Sequence, residues 1–535
     1  MARTPLLRAF RRLAEEHRTA EALGLPPAEL RGQALSRREF LKRAGIAGAG
    51  AAALPAVFAP RAQSAAAPRI AIVGGGIAGL TTALTLADKG YASTIYEASD
   101  RVGGRMHSDT SGYFAGSQVA EYCGELIDTG HMTIRHLAQR FGLDTVDLLA
   151  AEPKGTDDTY WFLNGYYTTD QADKDFQPIH NTLQDQVQAT SYPTTYLIHT
   201  DAGVMFDQMS IYEWIERYVD GGHASRMGRL LDAAYNIEYG AETKDQAALN
   251  LMYLLAYQAQ PGNFLIYGKS DERFHIAGGN EQLPQAIAGY LGSRTINLGW
   301  AMQSIRTNTD GTVSMSFATP GRTQTVTADH VILTLPFAVL RTLDYSGAGF
   351  DSRKKTAITQ LGAGKNAKLQ LQFNTRYWNA QGSNGNVYTD IGLQSGWDVT
   401  RGQPGTTGIL VDYSGGSIAG GYAPSSPYSN AAESSKVTAY AKQFLAQLEV
   451  VYPGITAQWN GKATLSTPFR DPNLNLAYSY WRCGQYVAFS GYEGAQQGNI
   501  HFAGEHTSQD FQGYMEGGAS EGARAASEVL AALKK

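Results

Sequence analysis

The stretch RIAIVGGGIAGLTTALTLADKGYASTIYEASDRVGGR, Arg69 to Arg105, decides how the rest of the chain is read. Ile70 to Val73 is an apolar run too short for a helix and closed by glycine, as expected of a buried parallel strand. Gly74-Gly75-Gly76-Ile77-Ala78-Gly79 follows and fits G-x-G-x-x-G. In that pattern the first glycine permits a tight turn, the second lets backbone N–H groups approach a pyrophosphate, and the third lets a helix pack close on the strand. Leu80 to Gly90 continues at helical spacing with Gly90 as its stop, and Ala92 to Tyr96 gives a second strand. Glu97, followed by Ala98, ends that strand roughly 20 residues past the glycines, where a carboxylate can accept from both hydroxyls of an adenosine ribose. Strand, glycines, helix, strand and acid in this order predict a dinucleotide site, with the phosphates at the helix's positive end against Gly74, Gly76, Ile77, Ala78 and Gly79.

Asp100-Arg101-Val102-Gly103-Gly104-Arg105 adds a second glycine pair between two arginines, which offers backbone and guanidinium donors to the same pyrophosphate. This segment resembles the double-glycine signature of the flavin amine oxidase family, which includes monoamine, L-amino acid and polyamine oxidases. The resemblance implies FAD.

The composition is that of an ordinary globular protein: 535 residues, 43% hydrophobic and 17% charged, long enough for two or three domains. A net charge of −5 without a basic stripe argues against nucleic acid or an anionic membrane surface as a main partner. Two cysteines, Cys123 and Cys483, exclude a disulfide scaffold and paired-cysteine metal sites, and leave open one disulfide.

Residues 1–67 read as a signal segment outside the fold. Ser36-Arg37-Arg38-Glu39-Phe40-Leu41-Lys42 precedes a weakly apolar run, Ala44 to Ala59, too short to span a membrane. This is the pattern of a twin-arginine (Tat) export signal, which implies passage through the Tat machinery after folding and a periplasmic or secreted bacterial protein without stable membrane insertion.

The resemblance continues down the chain. Glu121 to Phe141 resembles the family's loop that passes the flavin, with a helix over His131 to Leu143. L-amino acid oxidases of the snake-venom type carry there an arginine that clamps the substrate carboxylate; Leu126 stands in that place here, which favours an amine unless another arginine, such as Arg401, enters the pocket. Residues 150–270 read as helices and aromatic, polar loops, with clear helical segments at Ile211 to Val219 and Lys244 to Gln258, and with Trp161 and Tyr166 as packing residues. Gly278-Gly279 resembles a further family loop, and Trp300 to Thr334 reads as alternating strands closed by Pro336. In KLQLQFNTRYW, Lys368 to Trp378, the lysine resembles the one that holds a water against flavin N5; Lys365 is its rival, and a solvated strand lysine the plainer reading.

Near the C-terminus, Asn499 to Ala525 resembles the family's closing motif: a strand through Gly504, Glu505 directed at the ribityl or phosphate part of FAD, and Gly513-Tyr514-Met515 opening a helix toward the flavin's pyrimidine carbonyls. Tyr478 and Tyr514 fall where monoamine oxidases place two facing rings before the flavin, with Trp481 nearby as a further substrate contact. Ala477 stands where mammalian monoamine oxidases tether the flavin by cysteine, which implies non-covalent FAD.

The expected fold is α/β: a Rossmann-type FAD-binding domain from discontinuous segments (68–149, 270–337 and 466–535) with an inserted α+β substrate domain (150–269 and 338–465), amine oxidase-like. The expected activity is oxidation of a small primary amine or L-amino acid with O2 as acceptor and H2O2 as product, with Lys368, Tyr478 and Tyr514 at the reaction and no metal. A homodimer is a family-level expectation. A strict L-amino acid oxidase, a desaturase or protoporphyrinogen oxidase-like enzyme, and a non-catalytic exported flavoprotein are the alternatives.

Overall fold

A computed structural model describes residues 67–190, 192–256 and 264–534. The twin-arginine motif and the apolar run expected to form an export signal lie outside the described residues. Among the described residues no helix is long and apolar enough to cross a membrane, and no group of three or more His, Cys, Asp or Glu side chains could hold a metal.

Five short strands form a wholly parallel sheet in the order Ile500–Phe502, His330–Leu333, Ile70–Val73, Thr94–Glu97 and Ile296–Leu298. The central strands are buried along their length: the helix that follows Ile70–Val73 packs on one face, and Tyr96 of Thr94–Glu97 stacks at 4.8 Å on Phe317 of a neighbouring antiparallel meander. The glycine motif turns out of Ile70–Val73 into the helix Ile77–Ala87, which ends three residues before Gly90; Gly90 completes the turn at φ 82°. That helix packs on the C-terminal helix Met515–Ala532 through glycines: a Cβ on Gly522 would lie 2.2 Å from the Ala78 carbonyl oxygen. Beside this sheet, Ala301–Thr307, Val313–Thr319 and Arg322–Ala328 form an antiparallel meander, the alternating strands expected of this region.

The second large sheet has eight strands, ordered Tyr428–Asn430, Trp459–Ser466, Asn366–Phe373, Gly408–Gly415, Ser395–Gly396, Ser383–Thr389, Asp157–Phe162 and Gly165–Tyr167. The last two correct the helical reading of residues 150–270. Asp157–Phe162 is a strand because it pairs in parallel with Ser383–Thr389, a partner more than 200 residues away. Trp161 and Tyr166 meet edge to face at 4.7 Å across this hairpin. Ile211–Tyr218 is helical as expected, opened by a Ser210/Glu213 capping box, whereas of the helix expected at 244–258 Ala248–Leu255 is helical, its first residues are not, and residues 257 and 258 lie outside the described residues.

Asn366–Phe373 is buried along its whole length, so its alternation separates two kinds of interior rather than core from solvent. Ala367, Leu369, Leu371 and Phe373 enter the apolar core with Trp378. Lys368, Gln370 and Gln372 face the loop that crosses from the parallel sheet. Gln370 donates to the Glu121 carbonyl at 2.8 Å and Gln372 to the Ala115 carbonyl at 2.9 Å. This polar stripe joins the two sheets.

Candidate functional site

The dinucleotide cradle has the expected form. Gly74 and Gly103 take φ of 110° and 103°, a region open mainly to glycine. Gly79 permits the close helix approach, since a Cβ there would stand 2.0 Å from the Gly74 carbonyl oxygen. Gly103 N–H donates to the Gly75 carbonyl at 2.9 Å, which lays the second glycine pair beside the first; a Cβ on Gly104 would lie 3.5 Å from the Gly76 Cα. No side chain caps the helices at Gly76 or Tyr514, so the first-turn N–H groups of both are left for a ligand. Buried Glu97, at the end of its strand before Ala98, accepts from Gly75 N–H at 2.6 Å and from both Ser99 donors; a carboxylate so held keeps lone pairs for a ribose. These residues fit FAD.

The arginines and Glu505 are engaged within the protein. Arg101 donates to the Val102 and Gly104 carbonyls and so braces its own loop. Arg105 pairs with Glu505 at 2.8 Å and donates to the Ala477 carbonyl. Glu505 also accepts from Ser479 and, at 2.8 Å, from Gly513 N–H. It thereby ties together the double-glycine loop, the segment bearing Tyr478 and the turn bearing Tyr514. The Arg105 guanidinium pulls its carboxyl below the usual range against the opposing effect of burial.

Lys368 is buried, with 5% of its surface exposed, while Lys365 is exposed. The Lys368 ammonium donates to Glu125 at 2.6 Å and to the Cys123 carbonyl at 2.8 Å, and lies 5.5 Å from the Trp397 ring centre. Two of its three donors are thus engaged and one remains for water. The solvated reading fails. Glu125 also accepts from Trp397 Nε1 at 2.9 Å. Close by, Glu121 accepts from Ser108 Oγ and Asn280 N–H, and burial pushes its carboxyl up to about 8.

The tyrosines join this group. Tyr478 OH donates to the Ile237 carbonyl at 2.7 Å and lies 2.9 Å from Tyr413 OH. Tyr413 stands opposite Lys368 on the adjacent strand and packs edge to face on Trp397. Tyr514 OH donates to Glu238 at 3.1 Å, and its ring meets His131 at 5.1 Å. Next to it, Met515 closes on the flavin-passing loop: a Cβ on Gly124 would lie 3.0 Å from the Met515 sulfur. Tyr413, Tyr478, Tyr514, Trp397, Glu238 and Leu126 are all half-buried, in contrast to the closed core around them. Burial raises both Tyr413 and Tyr478 well above the usual phenol range, so these hydroxyls stay protonated at neutral pH.

Trp481, expected as a substrate contact, and Arg401, the alternative arginine, are both engaged within the protein. Trp481 is buried against Tyr486 and donates to Glu493 at 2.9 Å, so its indole belongs to packing rather than to the tyrosine pair. Arg401 donates to the Asn384 carbonyl and Asn386 Oδ1 and faces Glu152. Cys123 and Cys483 are both free thiols. Glu125, Tyr413, Trp397 and Glu238 were not singled out by sequence. Tyr413 has no local signal, since only the pairing of its strand with Asn366–Phe373 brings it opposite Lys368.

Comparison with known proteins agrees with this geometry. The family model for flavin-containing amine oxidoreductases matches residues 77–530. The L-amino-acid oxidase of Naja atra is 24% identical over 508 residues, covering 87% of this chain and 88% of that protein. The putrescine oxidase of Kocuria rosea is 25% identical over 336 residues, covering 59% of this chain and 66% of that protein. Among solved structures, cyclohexylamine oxidase from Brevibacterium oxydans superposes with a TM-score of 0.74 at 20% identity, covering 88% of this chain and all of that one. Putrescine oxidase bound to putrescine gives a TM-score of 0.72 at 19% identity over 87% of this chain and 99% of that one. With a family model spanning nearly all of the described fold, this chain belongs to the flavin-containing amine oxidoreductases, an oxidoreductase family whose cofactor is FAD.

Proposed function

We propose that the chain oxidises the C–N bond of a small primary amine, with O2 as electron acceptor. The observation that supports this reading best is the half-open wall formed by Tyr478, Tyr514, Tyr413 and Trp397 next to the ion-paired Lys368. Bound FAD would accept a hydride equivalent from the amine-bearing carbon and pass the electron pair to O2. Overall, R–CH2–NH2, O2 and H2O give R–CHO, NH3 and H2O2, the imine being hydrolysed by water. Within the protein, the two phenol rings orient the neutral amine and exclude bulk water, while the remaining donor of Lys368 holds one water in place.

An amine is preferred to an amino acid because Leu126 is uncharged and Arg401 is engaged with Asn384, Asn386 and Glu152. The second reading, an L-amino acid oxidase, draws on the likeness to the Naja atra enzyme along most of the chain. A peroxide-release assay with matched pairs, n-pentylamine against L-norleucine, separates them: oxidation confined to the carboxylate-bearing member overturns the amine reading. Alanine at 477 supports non-covalent FAD, so acid precipitation should leave the flavin in the supernatant. The Ser36–Lys42 motif supports Tat export, to be tested by replacing Arg37 and Arg38 with lysine and following the protein into the periplasm or medium.

A further inference from the structure

One cleft has side chains that neither the cofactor cradle nor the tyrosine pair uses. It holds about 390 Å³, and Arg341, Thr359, Gln360, Arg482, Cys483 and Gln485 are among its lining residues. Two guanidinium groups share it. Arg341 is half-buried; burial and then the positive charge of Arg482 hold it below the usual arginine range. Like charges brought together in this way cost stability unless an anion lies between them. Among the described residues neither arginine forms an ion pair. Arg341 uses two of its five donors on the Phe337 and Leu361 carbonyls, at 3.1 and 2.8 Å, and the rest of its fork is left over. Arg482 is exposed, with its guanidinium 5.9 Å from the Tyr480 ring centre.

Cys483 is not what the cleft is built for. Burial first, and then Asp207, Glu213 and Asp245, push its thiol up to about 11, so it stays protonated at neutral pH. The two arginines belong to segments that meet. Arg341 holds Leu361, which precedes Gly362–Ala363, and Arg482 follows Ser479–Tyr480, the strand paired antiparallel with it. The same ribbon runs on to Tyr478, whose carbonyl accepts from Gly364 N–H at 2.8 Å.

We propose that this cleft is a binding site for a phosphate-type dianion, free or carried as a monoester, clamped between the forks of Arg341 and Arg482. A tetrahedral phosphoryl group has oxygens enough for both forks, whereas a single carboxylate is saturated by one. The bound anion relieves the repulsion between the guanidiniums and ties together the two strands of the ribbon that carries Tyr478. The inference goes beyond the oxidase reading and does not rest on it.

The test titrates inorganic phosphate into the flavin-loaded protein by isothermal calorimetry, at an ionic strength held constant with sodium chloride. Loading matters because an empty flavin cradle would itself take phosphate. One saturable site with a Kd of about 1 mM or tighter is expected. Arg482→Gln, a change at an exposed side chain, should weaken binding about 10-fold or more, the effect of losing charged hydrogen bonds. Arg482→Lys should recover only part, since an ammonium keeps the charge without the fork. Glycerol 3-phosphate in the same titration separates the sources: tighter binding than phosphate assigns the ester, weaker binding the free anion. No saturable binding up to about 10 mM phosphate overturns the inference. So does a Kd that Arg482→Gln leaves unchanged, because the anion then sits elsewhere. Either failure leaves amine oxidation, and with it the oxidase reading, as it stands.

Discussion

Lys368 and Tyr413 face each other in antiparallel register, and from this pair hydrogen bonds run outward in two directions: Lys368 to Glu125, and Tyr413 to Tyr478. One rung of the sheet therefore carries both the ammonium and the first link to the aromatic wall. Replacing Lys368 by Met leaves Glu125 buried without its cation, which costs about 3–5 kcal/mol of stability. The thermal midpoint should fall accordingly, and the double variant K368M/E125L should recover most of it. Stopped-flow mixing of the reduced enzyme with O2 should show slower flavin reoxidation in K368M, on the order of 10²-fold if the lysine's water takes part in proton transfer.

The tyrosine pair separates ring from hydroxyl. Tyr478→Phe keeps the ring but loses the bonds to Ile237 and Tyr413, and should cost a few-fold in kcat/KM, about 1 kcal/mol. Tyr478→Ala removes the orienting surface and should cost on the order of 10²-fold, as misplacement of a reacting group does. Steady-state peroxide assays with one amine decide it; equal losses in the two variants would mean that the ring contributes nothing.

Glycine at 79 is required by contact rather than by conformation, since the Cβ of an alanine would stand 2.0 Å from a backbone oxygen. Gly79→Ala should push the helix Ile77–Ala87 off its strand and yield a protein that purifies without flavin absorbance. Gly90→Ala is the control for a nearby glycine without crowding: nothing lies within 4 Å of its added Cβ, and only the strain of a positive φ remains.

Burial holds Glu121 near pH 8 in the folded protein, well above an unfolded glutamate at about 4.5. Between those values the folded state keeps a proton that the unfolded state has lost. Stability from this group is therefore intact below about pH 4.5 and falls as pH rises toward 8, by up to about 1.4 kcal/mol per pH unit. Glu121→Gln should flatten that slope in denaturant titrations from pH 5 to 8 and stabilise the protein at the upper end. An unchanged slope would show that Glu121 is ionised when folded.

What was legible in the sequence followed its range. Gly74 to Glu97 could be read because strand, turn, helix and acid lie within one local unit whose spacing is itself the constraint. Lys368 could be placed on a strand, but its choice over Lys365 rests on burial against Cys123 and Glu125, some 240 residues away. Glu238 left no local signal, because an acid near a helix end is ordinary until the helix is known to stop beside Tyr514. Trp481 misled for the opposite reason: its nearness to Tyr478 in sequence suggested a shared wall, while the turn of the chain carries it to Glu493.

The row formed by Lys368, Gln370 and Gln372 gives each side chain a backbone carbonyl of the segment from Ala115 to Cys123, which leads into the flavin-passing loop, as its partner. Directional bonds of this kind do not slide as apolar contacts do, so the spacing between the cofactor's seat and the substrate chamber is fixed at three points. A chamber so anchored behaves as a gauge of constant width. New substrate ranges would have to arise by recarving its far wall, around Glu238 and Tyr413, and not by letting the two halves of the molecule hinge apart.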